Sequence, residues 1–270
     1  MHLNSELYDG IETVELKITD TARQKYFFPE VPKLRNKLIR RIEVNNQMIN
    51  TPSNYITQSI TNFYLTLVSK GVEIFKDLPL SLLDVSLLSL ANLKTELFNH
   101  YFDISKSYIT ISDTSGLTAG SCISITIYYQ DPKRVRFVKN IPTFKIDYVE
   151  APVISLTDTV VKINNFKNIQ NKRILYVSTF NTGGGTYYTP DGRQIVSSVN
   201  ILGSYLNLWD NKEEIVKDLP LARILNIYPL QAQIFLRGLQ LDWDRCYINV
   251  PNSAGLTVGH VFYLPVFYVD

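Results

Sequence analysis

The chain repeats itself at domain scale, and that limits the folds open to it. Lys76-Asp77-Leu78-Pro79-Leu80 returns unchanged as Lys217-Asp218-Leu219-Pro220-Leu221, 141 residues later. One matched pentapeptide carries little weight, so the test is whether other matches fall at nearly the same spacing. Tyr64-Leu65-Thr66-Leu67 precedes Tyr205-Leu206-Asn207-Leu208 by the same 141 residues. At a spacing of 139, Asp103, Lys106, Tyr108 and Ile109 match Asp242, Arg245, Tyr247 and Ile248, and Gly116-Leu117-Thr118-Ala119-Gly120 matches Gly255-Leu256-Thr257-Val258-Gly259. Near the start of each copy, Arg40-Arg41-Ile42 pairs with Lys172-Arg173-Ile174 at 132. Repeats of roughly 20 to 50 residues mean solenoids or propellers, whereas one of this size is a whole domain.

The drop from 141 to 132 predicts nine extra residues in the second copy, placed at 182–192. Gly183-Gly184-Gly185 and Asp191-Gly192 reach positive φ cheaply, which suits a lengthened hairpin or surface loop. Its Tyr187 and Tyr188 suit a projecting contact with a neighbouring molecule, or packing against their own domain. Asp131-Pro132 ends the first copy, and Lys133, Arg134, Arg136 and Lys139 make the adjoining segment basic. The expected organisation is a first domain with an N-terminal arm over 1–132, a basic linker over 133–150 and a second domain over 151–270.

Within a copy, apolar and polar residues alternate over four to six positions, as at 13–18, 41–44, 64–67, 108–111 and 123–128, with 160–163, 174–177 and 261–264 in the second. That period is the mark of a half-buried strand. The 17 Tyr and 13 Phe against two Met lean the same way. Pro265 argues for an edge or a bulge. The Leu-rich stretch 82–97 is expected to be extended or irregular, because its counterpart holds Pro229, with one helical turn near 93–99. About eight strands per copy, with long excursions between some of them, predict two tandem jelly-roll β-sandwiches; an immunoglobulin-like sandwich would show turns at more regular intervals.

Chemistry-bearing patterns are sparse. His2, His100 and His260 have no metal-ligand or triad spacing, and no phosphate loop, dinucleotide fingerprint or nucleophile elbow occurs. Asp242 and Asp244 are conceivable as paired carboxylates for glycoside cleavage. However, Asp103 stands at the position matching Asp242, which makes that carboxylate a turn feature of both copies. Cys246 matches Ser107, so the position takes a small side chain and a buried thiol is expected there. Neither catalytic residues nor a cofactor nor a metal is expected. With 27 basic and 25 acidic residues, no global field draws the chain to nucleic acid or membrane. The first ten residues do not resemble a secretory leader, and no apolar run approaches the ~20 residues of a membrane-spanning helix. A soluble protein that folds where it is made is expected.

The paired Lys-Asp-Leu-Pro-Leu and Gly-Leu-Thr-x-Gly motifs, with Tyr26-Phe27-Phe28-Pro29-x-Val31-Pro32-x-Leu34-Arg35-x-Lys37, give the chain a resemblance to the double jelly-roll major capsid proteins of icosahedral, often membrane-containing, viruses and phages. The resemblance implies a homotrimer forming a pseudo-hexagonal capsomer, with neighbouring capsomers and other virion proteins as partners. It also implies a place in the virion capsid after assembly in the host cytoplasm, and no small-molecule substrate. Under it, Lys133, Arg134, Arg136 and Lys139, with Lys33, Arg35, Lys37, Arg40 and Arg41, become candidates for an inner face meeting an internal lipid membrane or the packaged genome. The bland reading of such runs is a solvated or salt-bridged face. Two alternatives remain open: a minor virion protein at a vertex or spike, and a tandem carbohydrate-binding protein.

Overall fold

A computed structural model describes residues 9–20, 25–44, 62–83, 100–113, 119–120, 122–134, 144–179, 186–224, 236 and 238–270. The fold is all-β, with several antiparallel sheets, and the chain divides into two units, Met1–Thr143 and Phe144–Asp270.

In the first unit the strands are β1 (Gly10–Lys17), β2 (Lys25–Phe27), β3 (Leu38–Val44), β4 (Phe63–Ser69), β5 (Val72–Pro79), β6 (His100–Tyr101), β7 (Tyr108–Ile111) and β8 (Cys122–Gln130). One sheet runs β1-β8-β3-β6 and the other β2-β7-β4-β5. Alternation sets the inner face of the first sheet: Val14 and Leu16 on β1 are buried while Thr13, Glu15 and Lys17 face out. Lys70 and Gly71, with φ of 50° and 78°, close the two-residue turn between β4 and β5. Both central residues at positive φ fit a turn whose twist matches its strands.

The second unit contains β9 (Lys145–Pro152), β10 (Val160–Lys162), β11 (Arg173–Val177), β12 (Tyr205–Trp209), β13 (Glu214–Pro220), β14 (Tyr247–Asn249) and β15 (Val261–Val269). One sheet runs β10-β14-β12-β13, and β9, β15 and β11 form the other, with Leu239 bridging to Ile174 beyond β11. A short helix, Ser198–Leu202, is capped by Ser197, whose hydroxyl accepts from the Asn200 amide. The core of this unit holds Val149, Ile174, Leu206, Leu208, Trp243, Ile248, Phe262 and Leu264, all nearly inaccessible to water.

Three expectations need correction or limitation. The predicted linker 133–150 is too long: 145–150 form most of β9, paired to β15 from Lys145↔Tyr268 to Pro152↔Val261. The acidic residues of this strand are accommodated inside, Asp147 accepting from Asn168 Nδ2 at 3.1 Å and Glu150 from Arg193. Pro265 is not on an edge, because β15 is flanked by β9 and β11; it stands opposite Tyr148 of β9, where β11 has ended. The stretch 84–99, which includes the predicted helical turn, lies outside the described residues.

Candidate functional site

Three places merit inspection as sites: the basic segment, the inserted loop and the turn carrying Asp242 and Cys246. In the basic segment, Lys133 is exposed and its amide donates to Asp131 Oδ1 at 3.0 Å. Lys37 Nζ lies 2.7 Å from Asp131 Oδ2, and this hydrogen bond holds the Asp131 carboxyl below the ordinary aspartate range. Arg134 ends a 3-10 turn, Pro132–Arg134, while Arg136 and Lys139 lie outside the described residues. Upstream cations are paired locally: Lys33 with Glu12 at 3.0 Å, Arg35 with Glu30 and Arg41 with Glu43. Arg40 is buried. Pairing of this kind leaves a salt-bridged surface around Lys33, Arg35, Lys37 and Arg41.

The described part of the inserted loop, 186–192, and the residues after it up to 197 pack Tyr187 inward. Tyr187 is only 4% exposed and Tyr188 is half-buried, bridging to Gln194. Gln194 and Val196 bracket Val261: the Val261 amide donates to the Gln194 carbonyl at 2.9 Å, and the Val196 amide donates to the Val261 carbonyl at 3.0 Å. The loop thus extends the β15 side of the sheet. One Arg193 nitrogen donates to both carboxylate oxygens of the buried Glu150 at 2.7 Å, while Nε donates to Asp191 at 2.8 Å. Burial works against the Arg193 charge, but its hydrogen bonds to Glu150 and Asp191 outweigh that and raise its pKa. The two tyrosines stand out in the sequence through loop composition. The Arg193–Glu150 clamp does not, because its partners lie 43 residues apart.

At the third place, Asp242 is half-buried and Asp244 exposed. The Asp242 amide donates to the Trp209 carbonyl at 2.9 Å, and its own carbonyl accepts from Cys246 Sγ at 3.2 Å. Cys246 Sγ in turn accepts from the Trp209 amide at 3.3 Å. Burial pushes this thiol up to about 12. A thiol so protonated and enclosed is a poor nucleophile, and the arrangement ties a turn to β12. We expect Cys246 to resist alkylation at pH 8 until the protein unfolds, and Cys246→Ser to change stability by less than about 1 kcal/mol, because a hydroxyl can repeat both bonds. Reaction of the native thiol at the rate of a free cysteine would contradict this.

The first unit also holds a groove of about 400 Å³ bordered by Glu30, Arg35, Asn36, Lys70, Tyr101 and Asp103. Among the described residues no group of three or more His, Cys, Asp or Glu side chains is placed to hold a metal ion. No helix among them is long and apolar enough to cross a membrane. Compared with known proteins, the chain matches no family model, no curated protein and no solved structure.

Proposed function

We propose that this chain is a structural protein of a virion shell, two jelly rolls related by duplication, three chains of which form a pseudo-hexagonal capsomer. The observation that carries the reading is a correspondence of strand registers between the units. The pairs Val14↔Ile125, Tyr26↔Ile109, Leu65↔Leu78 and Leu65↔Ile109 have counterparts in Val149↔Leu264, Val161↔Ile248, Leu206↔Leu219 and Leu206↔Ile248. Irregularities correspond too: the β4–β5 ladder slips around Leu67 and the β12–β13 ladder around Leu208. β-Bulges are local and specific, so their recurrence at matching positions supports common descent more strongly than shared strand count does.

Smaller devices recur as well. Asp77 and Asp218 both take a left-handed φ, 48° and 47°, and their amides donate to Thr66 Oγ1 and Asn207 Oδ1 at 3.2 and 2.9 Å. Ser107 Oγ accepts from the Val68 amide and donates to the Asp103 carbonyl, as Cys246 does with Trp209 and Asp242. Lys37 pairs with Asp131 and Lys172 with Asp270, both at 2.7 Å. The order β1-β8-β3-β6 with β2-β7-β4-β5 fits a jelly roll, in which first and last strands are neighbours. The devices shared by both units serve the fold, which favours an architectural role over a catalytic one.

From such units, two similar but unequal domains per chain give three chains six nearly equivalent lateral faces. The test is mass in solution: sedimentation at micromolar concentration is expected to give three times the chain mass, and a persistent monomer would overturn the reading. A tandem carbohydrate-binding role is the second reading, favoured by the Tyr101-bordered groove; saturable glycan binding by a monomer would select it. Lipid or genome contact through Lys133, Arg134, Arg136 and Lys139 belongs to the shell reading. Unchanged vesicle and nucleic-acid binding after charge reversal at Lys133, Arg134 and Arg136 would remove that contact.

A further inference from the structure

The groove of the first unit exists where two residues are smaller than their counterparts in the second. Ile39 and Ile174 hold equivalent places opposite Tyr129 and Tyr268, which matches Val31 to Phe166, eight residues before each. The 139-residue spacing of the repeat matches Ile104 to Trp243. In the second unit the Trp243 ring is 1% exposed and stacks on Phe166; in the first, Ile104 and Val31 line an opening of about 400 Å³. Two 3-10 turns, Pro32–Leu34 and Ile104–Lys106, and the β4–β5 turn border it. The Asp103 amide donates to the Val68 carbonyl at 2.7 Å and ties the second of these turns to β4. The opening is therefore framed by the fold itself, as small-molecule sites usually are.

Floor and rim differ in chemistry. Leu34, Phe102 and Ile104 are buried and make the floor apolar. Around them Asn36, Lys70, Tyr101 and Ser105 are exposed, and these side chains have no hydrogen-bond or ion-pair partner among the described residues. The two carboxylates on the border are already matched, Glu30 by Arg35 and Asp103 by Lys106 at 3.8 Å, which leaves Lys70 as the uncompensated charge. The second unit lacks this set. Besides Trp243 and Phe166, it has Asn211 in place of Lys70, Gln240 in place of Tyr101 and Asp244 in place of Ser105.

We propose that this groove binds a carboxylated pyranose, a sugar of the uronic-acid or sialic-acid class, and that the first unit alone does so. The C–H face of the ring lies on the apolar floor and on Tyr101, the hydroxyls exchange hydrogen bonds with Asn36 and Ser105, and the carboxylate pairs with Lys70. A pyranose has one apolar face and a hydrogen-bonding edge, which is what an apolar floor inside a polar rim requires. An aromatic side chain from another protein fits the floor but leaves most of the rim unmet. The inference takes up the groove of the second reading above and does not depend on whether chains assemble.

The test titrates the full chain with glucuronic acid, N-acetylneuraminic acid and glucose, followed by saturation-transfer NMR. Saturable binding of at least one of the acids is expected, and which one separates the two classes. Glucose should bind at least about tenfold more weakly, because it forms no charge-assisted bond with Lys70. Lys70→Ala and Tyr101→Ala, both at exposed positions, should each weaken binding of the acid about tenfold or more while leaving the unfolding midpoint unchanged. Val31→Phe with Ile104→Trp, which copies the filling of the second unit, should abolish it. If that pair fails to fold, the Lys70 and Tyr101 variants decide. No saturable binding of either acid by the parent, or binding that survives both Lys70→Ala and Tyr101→Ala, would overturn the site; glucose bound as well as the acids would overturn the acidic class. Sedimentation of the same samples reads assembly separately: trimers that bind no acidic sugar sink this site alone, and monomers that bind one sink the shell reading alone.

Discussion

Replacing Trp243 with alanine is expected to cost about 3–5 kcal/mol of unfolding free energy, the range for emptying a large aromatic from a core. Trp243 is 1% exposed and stacks on Phe166, ring centroids 6.4 Å apart and planes 15° from parallel. The corresponding residues of the first unit are the smaller Ile104 and Val31, and both border the groove there. Trp243→Ala should therefore open in the second unit a cavity like the one the first already has. Trp243→Phe should cost much less, since it keeps an aromatic ring and removes an indole N–H that has no hydrogen-bond partner among the described residues. Denaturant unfolding of both variants checks this; equal losses would show that keeping an aromatic ring at this position does not preserve the packing.

The second large effect is expected at the clamp between Arg193 and Glu150. Arg193→Ala removes the arginine from a carboxylate that is 6% exposed. Breaking a fully buried pair costs roughly 3–5 kcal/mol, and solvent screening at the 39%-exposed arginine reduces the expectation here to about 1–3 kcal/mol. Adding Glu150→Gln to Arg193→Ala should recover part of that loss, because a neutral amide costs less to bury than a charge. Amide exchange at Gln194, Ile195 and Val196 should accelerate in Arg193→Ala while β12 and β14 keep their protection. A double variant no more stable than Arg193→Ala would show that the buried charge is not what sets the cost.

Much of the strand pattern is legible in the sequence, for a physical reason. Where one face of a strand meets the core and the other meets water, alternation records it, as in β1; β3, β4, β7 and most of β8 are buried on both faces, and their β-branched and aromatic residues mark them instead. β9 escapes because Asp147 and Glu150 are buried polar residues whose partners, Asn168 and Arg193, lie far along the chain. Period-2 reading treats such residues as surface. The Lys-Asp-Leu-Pro-Leu repeat marks a structural position without revealing its shape. Pro79 and Pro220 end strands, and the positive φ falls on Asp77 and Asp218, a conformation that aspartate tolerates and glycine more often signals.

Register settles the alignment of the copies differently from identity. Ile39 pairs with Tyr129 and Ile174 with Tyr268, each beside a ladder irregularity, which matches Ile39 to Ile174 at a spacing of 135. The similarity of Arg40-Arg41-Ile42 to Lys172-Arg173-Ile174 at 132 is thus out of register by three residues. The net insertion before β12 is six residues rather than nine, the difference between 141 and 135. Local likeness of basic and apolar residues cannot detect such a slip, whereas a bulge can, because it fixes which residue is extra. The tyrosines of the inserted loop leave two readings open for a related reason. Aromatics in a glycine-rich segment suit an interface or their own domain equally by composition, and only the fold shows Tyr187 turned inward.

The measurement that bears most directly on the shell reading is negative-stain imaging of the purified protein, sorted into class averages. Particles with a hexagonal outline and true threefold symmetry are predicted, three chains presenting six similar lobes. Averages showing single two-lobed molecules at concentrations where capsomers should persist, or rings whose symmetry is not threefold, would contradict it.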